Sequence, residues 1–226
     1  MKTRQPDVKH FVDQMALLDF EAVFNPYAQS CAEYDGEDAP SVRRQNLAVI
    51  LEAALAGGID SLWIGRDLGY RGGRRTGLAL TDEVHLDAHA RLFGVPPLAR
   101  STRGPAVSER TATVIWRALA QVNRPIFLWN VFPLHPHKPE DPMSNRCHTR
   151  AERQACRPLL MWLIEKLRPR SILAIGRDAQ LSLADLEIEA LEVRHPSYGG
   201  QTAFLDGVRH HYGVARVAEL AQPRLF

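Results

Sequence analysis

The stretch Ile59–Glu83, IDSLWIGRDLGYRGGRRTGLALTDE, decides how the rest of the chain is interpreted. Its apolar start at Ser61–Ile64 is typical of a buried strand in a parallel sheet. A glycine-rich loop begins at Gly65 and continues to a helix-like start at Thr81–Glu83. Because glycine permits positive φ and close backbone approach, this loop can fold tightly around a ligand at the carboxyl end of the strand.

The loop also carries an unusual set of polar side chains for its length. Guanidinium forks match phosphate oxygens, so several arginines in a glycine-rich loop favour phosphate binding. The alternative is an ordinary strand-to-helix loop with solvated arginines, because glycine-rich motifs also occur in many unrelated loops. The side chains are one carboxylate, one phenol and four guanidiniums: Asp67, Tyr70, Arg66, Arg71, Arg74 and Arg75.

Two further apolar strands end on polar residues. Phe127–Pro133 reads FLWNVFP and contains Asn130, and Val193–Ser197 reads VRHPS and contains His195. The carboxyl ends of parallel strands meet at one edge of a sheet, which is where open α/β sheets bind their ligands. The sequence therefore predicts that Asp67, Asn130 and His195 converge at this edge.

Size and composition are those of a single globular domain. The chain has 226 residues, 45% of them hydrophobic and 24% charged, and its formal net charge is +2. This charge is too small for binding nucleic acid over the whole surface. Basic residues nevertheless cluster at 66–75, 100–110 and 146–157, which favours a local basic face.

The cysteines and the N-terminus indicate a cytoplasmic protein. Cys31, Cys147 and Cys156 are odd in number and irregular in spacing, as expected for free thiols in a reducing compartment. The first ten residues, MKTRQPDVKH, lack a signal-peptide core, and no apolar run is long enough to span a bilayer. We expect a cytoplasmic monomer without membrane contact.

Alternating helices and short apolar strands predict an α/β fold, a three-layer α/β/α sandwich with a four-stranded parallel sheet. Residues 1–226 are expected to form one domain, in which the segment 1–58 is helical and precedes the sheet. The loop 132–148 is long and proline-rich, which is typical of functional loops. The predicted strands are 61–64, 125–131, 171–176 and 189–194. The predicted helices are 8–24, Ser41 to Gly57, 81–93, Ser108 to the second strand, Thr149 to Pro169, 177–186, and Gly200 to about Ala221.

Four motifs occur in a defined order: GxxxGYRGxRRTG, WNxFPxHPH, AIGRDA and RHPSYGG. This ordered set resembles the uracil-DNA glycosylase superfamily. It is most similar to bacterial branches outside the founding enzymes that lack an iron–sulfur cluster. The resemblance runs from about Asp60 to Gly207, and Asn25–Tyr27 extends it toward the N-terminus. The ordered combination is specific, whereas each motif alone is weak.

The resemblance implies a base-excision repair reaction that needs no metal and no cofactor. Uracil is flipped out of DNA into a pocket, and its N-glycosidic bond is hydrolysed to leave an abasic site. The transition state resembles an oxocarbenium ion on the sugar while negative charge grows on the departing base. The site then needs a carboxylate near C1′, donors for the uracil oxygens and groups that bind the flanking phosphates. The implied partner is DNA containing uracil or related lesions.

Site roles follow from the resemblance, position by position. Asp67 lies at the place of the catalytic carboxylate, and His195 at the histidine that donates to uracil O2. Asn130 lies at the asparagine that reads N3–H and O4. The resemblance further implies that Gly65, Arg66, Tyr70, Leu80 and Ser197 contact the substrate, Ser197 through a phosphate. The DNA-binding residues that it implies are Arg71, Arg74, Arg75, Tyr198, Gly199 and Gly200, of which Tyr198 fills the space of the flipped base.

Four positions depart from the pattern of the superfamily. Many relatives have glutamate where Arg66 lies, and the usual proline is replaced by Leu68. The founding enzymes place a tyrosine at Gly69, where it blocks the thymine methyl group. Gly69 leaves room there, so that discrimination against thymine must come from Tyr70 or elsewhere. Leu80 replaces the aromatic residue that stacks on uracil, which removes a stacking energy of about 1 kcal/mol.

Other functions stay open on the sequence alone. A damaged-DNA or abasic-site binder with weak turnover is favoured by Arg66, Leu68 and Leu80. A nucleotide-binding doubly wound protein without a DNA role is a third possibility. A metal site is conceivable at His135, His137, Cys147 and His148, but their spacing matches no standard zinc pattern. Three scattered cysteines cannot hold a four-cysteine iron–sulfur cluster.

Overall fold

The computed structural model describes residues 7–214, and its centre is a four-stranded parallel sheet. The strands of the sheet are β2 (Ser61–Asp67), β3 (Ile126–Phe132), β5 (Ser171–Ile175) and β6 (Leu191–Val193), and their spatial order is β3-β2-β5-β6. Two short strands, β1 (Val23–Phe24) and β4 (His135–Pro136), form a separate antiparallel pair. The fold class predicted from the sequence is therefore confirmed.

Helices surround this sheet. They are α1 (Val8–Ala16), α2 (Ala39–Gly57), α3 (Gly73–Thr76), α4 (Leu86–Phe93), α5 (Arg110–Val122), α6 (Arg150–Leu167), α7 (Arg177–Asp185) and α8 (Gln201–Tyr212), and a single 3-10 turn, Glu83–His85, precedes α4. Among residues 7–214, no helix combines the length and the apolar character that crossing a bilayer would require.

The alternation of side chains along the strands produces two cores. In β2, Leu62 and Ile64 face one core together with residues of α1, α2 and α6, whereas Trp63 faces the opposite core beneath α5 and α8. The strand β3 follows the same period of two, because Phe127 and Trp129 lie in the first core. The result is the predicted order of layers, with helices on both faces of the sheet.

Several helix boundaries differ from the sequence-based prediction. The predicted helix 8–24 ends at Ala16, because Val23 and Phe24 pair with β4 in extended conformation. The second helix begins at Ala39 and not at Ser41, with Asp38 at the N-cap and Pro40 in the first turn, where proline is well tolerated. The N-cap of α5 is Glu109 and not Ser108.

Other boundaries agree with the prediction. Thr149 is the N-cap of α6 and forms a capping box with Glu152. The last described helix ends at Tyr212, and the predicted helix end near Ala221 lies outside the described residues.

The register of the sheet brings the functional strands to a common edge. Ser61 of β2 is aligned with Ile126 of β3 and with Ser171 of β5, so the three strands begin at one level. Gly65 pairs with Asn130, and Asp67 pairs with Phe132. The loops that follow these strands therefore meet above one end of the sheet.

Candidate active site

A cavity of about 530 Å³ lies at the carboxyl ends of the strands. Asp67 at the end of β2 and His195 just after β6 both line it. The rest of its wall comes from the glycine-rich loop, the start of α5, the loop before α6 and the start of α7. These lining residues are Gly65, Arg66, Leu68, Gly69, Gly73, Leu80, Glu109, Thr111, Asn145, Arg146, Ile175, Gly176, Arg177, Asp178, Arg194, Ser197 and Tyr198.

Both carboxylate oxygens of Asp67 have partners. Oδ2 accepts a hydrogen bond of 2.5 Å from Nε of Arg66, and Oδ1 is bonded to Nδ1 of His148. The Arg66 guanidinium also reaches Oδ2 of Asp178 at 2.6 Å. The Asp67 side chain is only 6% exposed, and the Arg66 guanidinium and the His148 imidazole fix its orientation. The carboxylate is thus placed at the cavity, with its orientation set by Arg66 of the same strand and by His148 of the loop before α6.

His148 is the partner that positions Asp67. Its side chain is 1% exposed, and its ring packs against Phe132 with 5.7 Å between ring centroids. When Nδ1 carries the proton and donates to Asp67, Nε2 is free to accept from the Ser182 hydroxyl, which lies 3.4 Å away. A carboxylate, an imidazole and a hydroxyl thus form a chain that leads away from the cavity.

His195 lies in the cavity as a neutral donor. The Ser197 backbone N–H donates to its Nδ1 at 3.2 Å, so Nδ1 is the unprotonated nitrogen and Nε2 carries the proton. Burial is the main cause that lowers the pKa of His195, and the nearby guanidiniums of Arg66 and Arg194 lower it further. The imidazole is therefore neutral near pH 7 and presents an N–H for a hydrogen bond.

Gly176 provides the space for this imidazole. A Cβ at position 176 would lie 2.7 Å from Cβ of His195, and the glycine has a φ of +90°. Both conditions exclude other residues, because few side chains tolerate this backbone and none fits without displacing the histidine.

The Asn130 amide lies directly behind the wall of the cavity. It is buried, and within residues 7–214 neither its Nδ2 nor its Oδ1 has a hydrogen-bond partner. A Cβ at Gly65 would lie 2.5 Å from its Oδ1 and 3.0 Å from Cδ2 of Leu80, and Gly65 and Leu80 both line the cavity. A buried amide without partners costs about 1–3 kcal/mol, so this donor–acceptor pair is held ready for a ligand.

Leu80 adopts a backbone conformation that is unusual for leucine. Its φ is +53°, which costs a non-glycine residue about 1–2 kcal/mol. Strain of this kind concentrates at ligand-binding sites. The side chain lies beside Gly65 and Asn130, at the position where the resemblance predicts the residue that covers the face of a base.

The space above Gly69 is filled by another residue. A Cβ at Gly69 would lie 2.9 Å from Oε1 of Glu109, and a Cβ at Gly72 would lie 2.0 Å from its Oε2. The sequence-based expectation that Gly69 leaves this side open is therefore wrong, because the Glu109 carboxyl group from the start of α5 lies against both glycines.

The structure brings together most of the sequence-predicted site residues. Gly65, Arg66, Asp67, Leu80, His195, Ser197 and Tyr198 line one cavity, and Asn130 borders it. Tyr198 is 97% exposed at the rim. Tyr70 is not among the lining residues; its backbone N–H donates to Asn145 Oδ1 at 3.1 Å. Gly199 and Gly200 flank the rim between Tyr198 and α8.

Two of the predicted DNA-binding arginines are buried and engaged inside the protein. Arg74 lies over the Phe24 ring at 3.8 Å and contacts Nδ1 of His135 at 2.9 Å. Arg75 lies over the Tyr34 ring at 4.0 Å and donates to Glu83 at 3.0 Å. These contacts leave neither guanidinium available to a phosphate, whereas Arg71 is exposed.

Two residues of the site, His148 and Glu109, are not predicted from the sequence. The sequence singles out His148 only as a possible metal ligand, although its place after the long loop and just before the Thr149 cap is a usable signal. For Glu109 the sequence offers no comparable signal, since its role depends on how the loop before α5 folds back on Gly69 and Gly72.

The histidines and Cys147 do not assemble a metal centre. Within the part of the chain that the structure describes, no group of three or more histidine, cysteine or acidic side chains is arranged to hold a metal ion. His148 is bonded to Asp67, and His135 contacts Arg74 and the Ser144 carbonyl oxygen. Burial is the main cause that lowers the pKa of His135 to about 3, and the Arg74 charge lowers it further.

Comparisons with known proteins agree with this geometry. The chain matches the family described as the uracil DNA glycosylase superfamily over residues 62–210. Among solved structures it is similar to that of Pedobacter heparinus SMUG2, with a TM-score of 0.60 and 12% sequence identity, over 91% of this chain and 96% of that one. A search of curated proteins found no match.

The family match spans more than half of the chain and contains Asp67, Asn130 and His195. The structural similarity covers nearly all of both chains, and at 12% identity it supports the fold. Together with the parallel sheet and the cavity at its carboxyl edge, these findings show that the chain belongs to the uracil DNA glycosylase superfamily, a superfamily of DNA glycosylases.

Proposed function

We propose that this protein is a uracil-DNA glycosylase, which hydrolyses the N-glycosidic bond of flipped-out uracil and leaves an abasic site. The observation that carries the proposal is the shared cavity: Asp67 and His195 line it, and the unpartnered amide of Asn130 borders it. Asp67 and Asn130 lie in β2 and β3 and His195 follows β6, so the three side chains are far apart in sequence. An acid, an amide and an imidazole around one slot are what this reaction requires.

The proposed mechanism divides the charge between two residues. As the bond from C1′ to the base breaks, the sugar gains positive character and the base gains negative charge. The Asp67 carboxylate stabilises the sugar cation and orients the water that adds to C1′. The Nε2–H of His195 donates to the base oxygen on which negative charge builds. The neutral state of His195 suits this role, because a hydrogen bond to a growing anion strengthens in the transition state.

Recognition of uracil is assigned to Asn130. Its amide offers one donor and one acceptor, and uracil presents the complementary pair at O4 and N3–H. Cytosine presents the opposite pattern and leaves both amide groups unpaired. Tyr198 at the exposed rim is suited to stack in the space that the base vacates, which is the usual requirement of base flipping.

A cleavage assay tests the proposal directly. Purified protein is incubated with a labelled oligonucleotide that contains one uracil, and abasic sites are detected as strand breaks after alkali treatment. We expect release of uracil and no cleavage of the matched thymine oligonucleotide. A panel with other deaminated or 5-substituted bases, in single and double strands, determines the range of lesions. Absence of cleavage on the whole panel would overturn the proposal.

A second candidate is a binder of damaged DNA or abasic sites with weak turnover. The observation in its favour is the double pairing of Asp67 with Arg66 and His148, which partly neutralises the carboxylate. This function predicts retention of abasic DNA with hardly any release of base. Cleavage and gel retention measured on the same oligonucleotides distinguish the two functions.

Asn130→Asp is expected to lower the preference for uracil over cytosine roughly ten-fold, because the amide donor to O4 is lost and an acceptor replaces it. The measurement is the ratio of single-turnover rates on oligonucleotides that contain uracil or cytosine. Asn123→Asp is the matched control, because Asn123 is exposed at the C-terminus of α5. An unchanged ratio in a folded Asn130→Asp protein would remove Asn130 from base recognition.

His148→Leu is expected to lower kcat about ten-fold and to leave KM nearly unchanged, because Asp67 loses the donor that orients it. Leucine keeps the apolar contact with Phe132. The same substitution in an Asp67→Asn background is expected to have a much smaller effect, since the two side chains act as a unit. Equal effects in both backgrounds would show that His148 supports the fold and not the carboxylate.

A further inference from the structure

Glu109 is a carboxyl group of the cavity that the mechanism above does not use. It lines the same cavity as Asp67 and His195, and its two oxygens lie against Gly69 and Gly72. A Cβ on either glycine would collide with it, so the glycine-rich loop makes room for this side chain. The Glu109 carboxyl group is therefore packed between the start of α5 and the glycine-rich loop, and does not extend freely into solvent.

The Glu109 side chain does not cap the helix that it precedes. Glu109 is the N-cap residue of α5, yet its carboxyl group accepts no hydrogen bond from the first turn of that helix. Its backbone N–H donates to Oδ2 of Asp82 at 2.6 Å, which anchors the main chain. Among residues 7–214 we find no hydrogen-bond donor to the carboxyl oxygens. The group is thus held toward the cavity without a partner.

The charges around Glu109 favour its neutral form. Burial is the main cause that raises the pKa of Glu109, to about 7, and the Asp82 carboxylate adds to it, while Arg71 acts in the opposite direction. Asp82 itself stays ionised, since its hydrogen bonds from His85 and from the Glu109 backbone lower its pKa despite burial. A base that fills the cavity removes water from Glu109, and DNA phosphates add negative potential. Both effects raise the pKa of Glu109 further in the complex.

We propose that Glu109 is a third base-contacting residue, which as a neutral acid donates a hydrogen bond to an acceptor atom of the extruded base. The inference rests on the proposed function and adds a residue to its site. A carbonyl oxygen or a ring nitrogen of the base is a suitable acceptor, and the bond strengthens as negative charge grows on the departing base. An ionised Glu109 at the same place would oppose that charge.

The pH dependence of cleavage tests this role. Single-turnover rates on the uracil oligonucleotide are measured from pH 5.5 to 9 for the wild type, Glu109→Gln and Glu109→Ala. We expect the wild-type rate to fall at a pH above 7, because the complex raises the pKa of Glu109 further, and to fall by up to roughly ten-fold per pH unit as the proton is lost. Glu109→Gln keeps a donor at every pH and is expected to lose this decline. Glu109→Ala is expected to be about ten-fold slower than the wild type at pH 6 and independent of pH above it.

Other charged groups also face this cavity. The pKa of His195 is lowered, so that its protonation affects the acidic limb of the profile. The cavity also carries the guanidiniums of Arg66, Arg146, Arg177 and Arg194, and Arg71 lies near Glu109. Glu189→Gln is the matched control, because Glu189 is exposed and does not line the cavity. The same alkaline decline in wild type, Glu109→Gln and Glu109→Ala would overturn the proposal.

A binding experiment separates this inference from the proposed function. An oligonucleotide with 2′-fluoro-arabinouridine resists cleavage, and an abasic analogue lacks the base. At pH 6, Glu109→Ala is expected to weaken binding to the first oligonucleotide at least three-fold and to leave binding to the second unchanged, while Glu109→Gln binds both like the wild type. This result supports the contact even in a protein that does not cleave. Equal loss on both oligonucleotides, or no loss on either, would show that Glu109 does not touch the base.

Discussion

Asp67→Asn is expected to lower the rate of uracil release about a hundred-fold. The carboxylate is the acid of the cavity that lies at the end of β2, and asparagine keeps its shape while removing the negative charge that stabilises the sugar cation. A hundred-fold loss corresponds to about 2.7 kcal/mol of transition-state stabilisation. Single-turnover cleavage of the uracil oligonucleotide measures the effect, and the dissociation constant for abasic DNA is expected to stay within about two-fold.

Asp19→Asn provides the matched control, because Asp19 is exposed and lies outside the cavity. Because Asp67 is paired with Arg66 and His148, this test shows whether the paired carboxylate still acts in catalysis. If the pairing leaves the carboxylate without a catalytic role, Asp67→Asn will cleave as fast as the wild type. That outcome would assign the activation of water to another group.

His195→Ala is expected to produce a loss of similar size, about a hundred-fold in the single-turnover rate. The substitution removes the Nε2–H that the proposed mechanism directs at the departing base, and the loss of one such preorganised donor has effects of this order. His195→Gln restores an N–H and is expected to recover part of the rate. Because the pKa of His195 is lowered, the wild-type rate should not depend on this group between about pH 6.5 and 8.

The control for this substitution is His10→Ala, since His10 is exposed on α1. A His195→Ala protein that binds the uncleavable uridine oligonucleotide normally but cleaves slowly supports the assignment. If cleavage stays at the wild-type rate, the imidazole is not the donor to the departing base.

The sequence predicts the sheet and the meeting point of its strands for clear physical reasons. Buried parallel strands read as short apolar runs, and Ser61–Ile64 and Phe127–Val131 have this character. Polar residues at their ends must then lie at one edge, which is where Asp67 and Asn130 are found. The start of α6 is equally predictable, because the Thr149 capping box is a local pattern.

The parts that the sequence did not predict depend on contacts between distant segments. The bond between Asp67 and His148 joins residues 81 positions apart, and no local pattern pairs these two residues with each other. Glu109 reaches Gly69 and Gly72 only because the loop before α5 folds back over the glycine-rich loop. The helix predicted to reach residue 24 failed for the same reason, since Val23 and Phe24 obtain strand partners from β4.

The burial of Arg74 and Arg75 has a consequence for how the protein meets a polyanion. Their charges are compensated inside the protein by an aromatic face or a carboxylate, and they displace no counterions from a nucleic acid. Of the two, Arg75 also ties its loop to Glu83. The two arginines therefore hold the shape of the glycine-rich loop from within, and we expect a phosphate that meets this loop to be bound by the exposed Arg71.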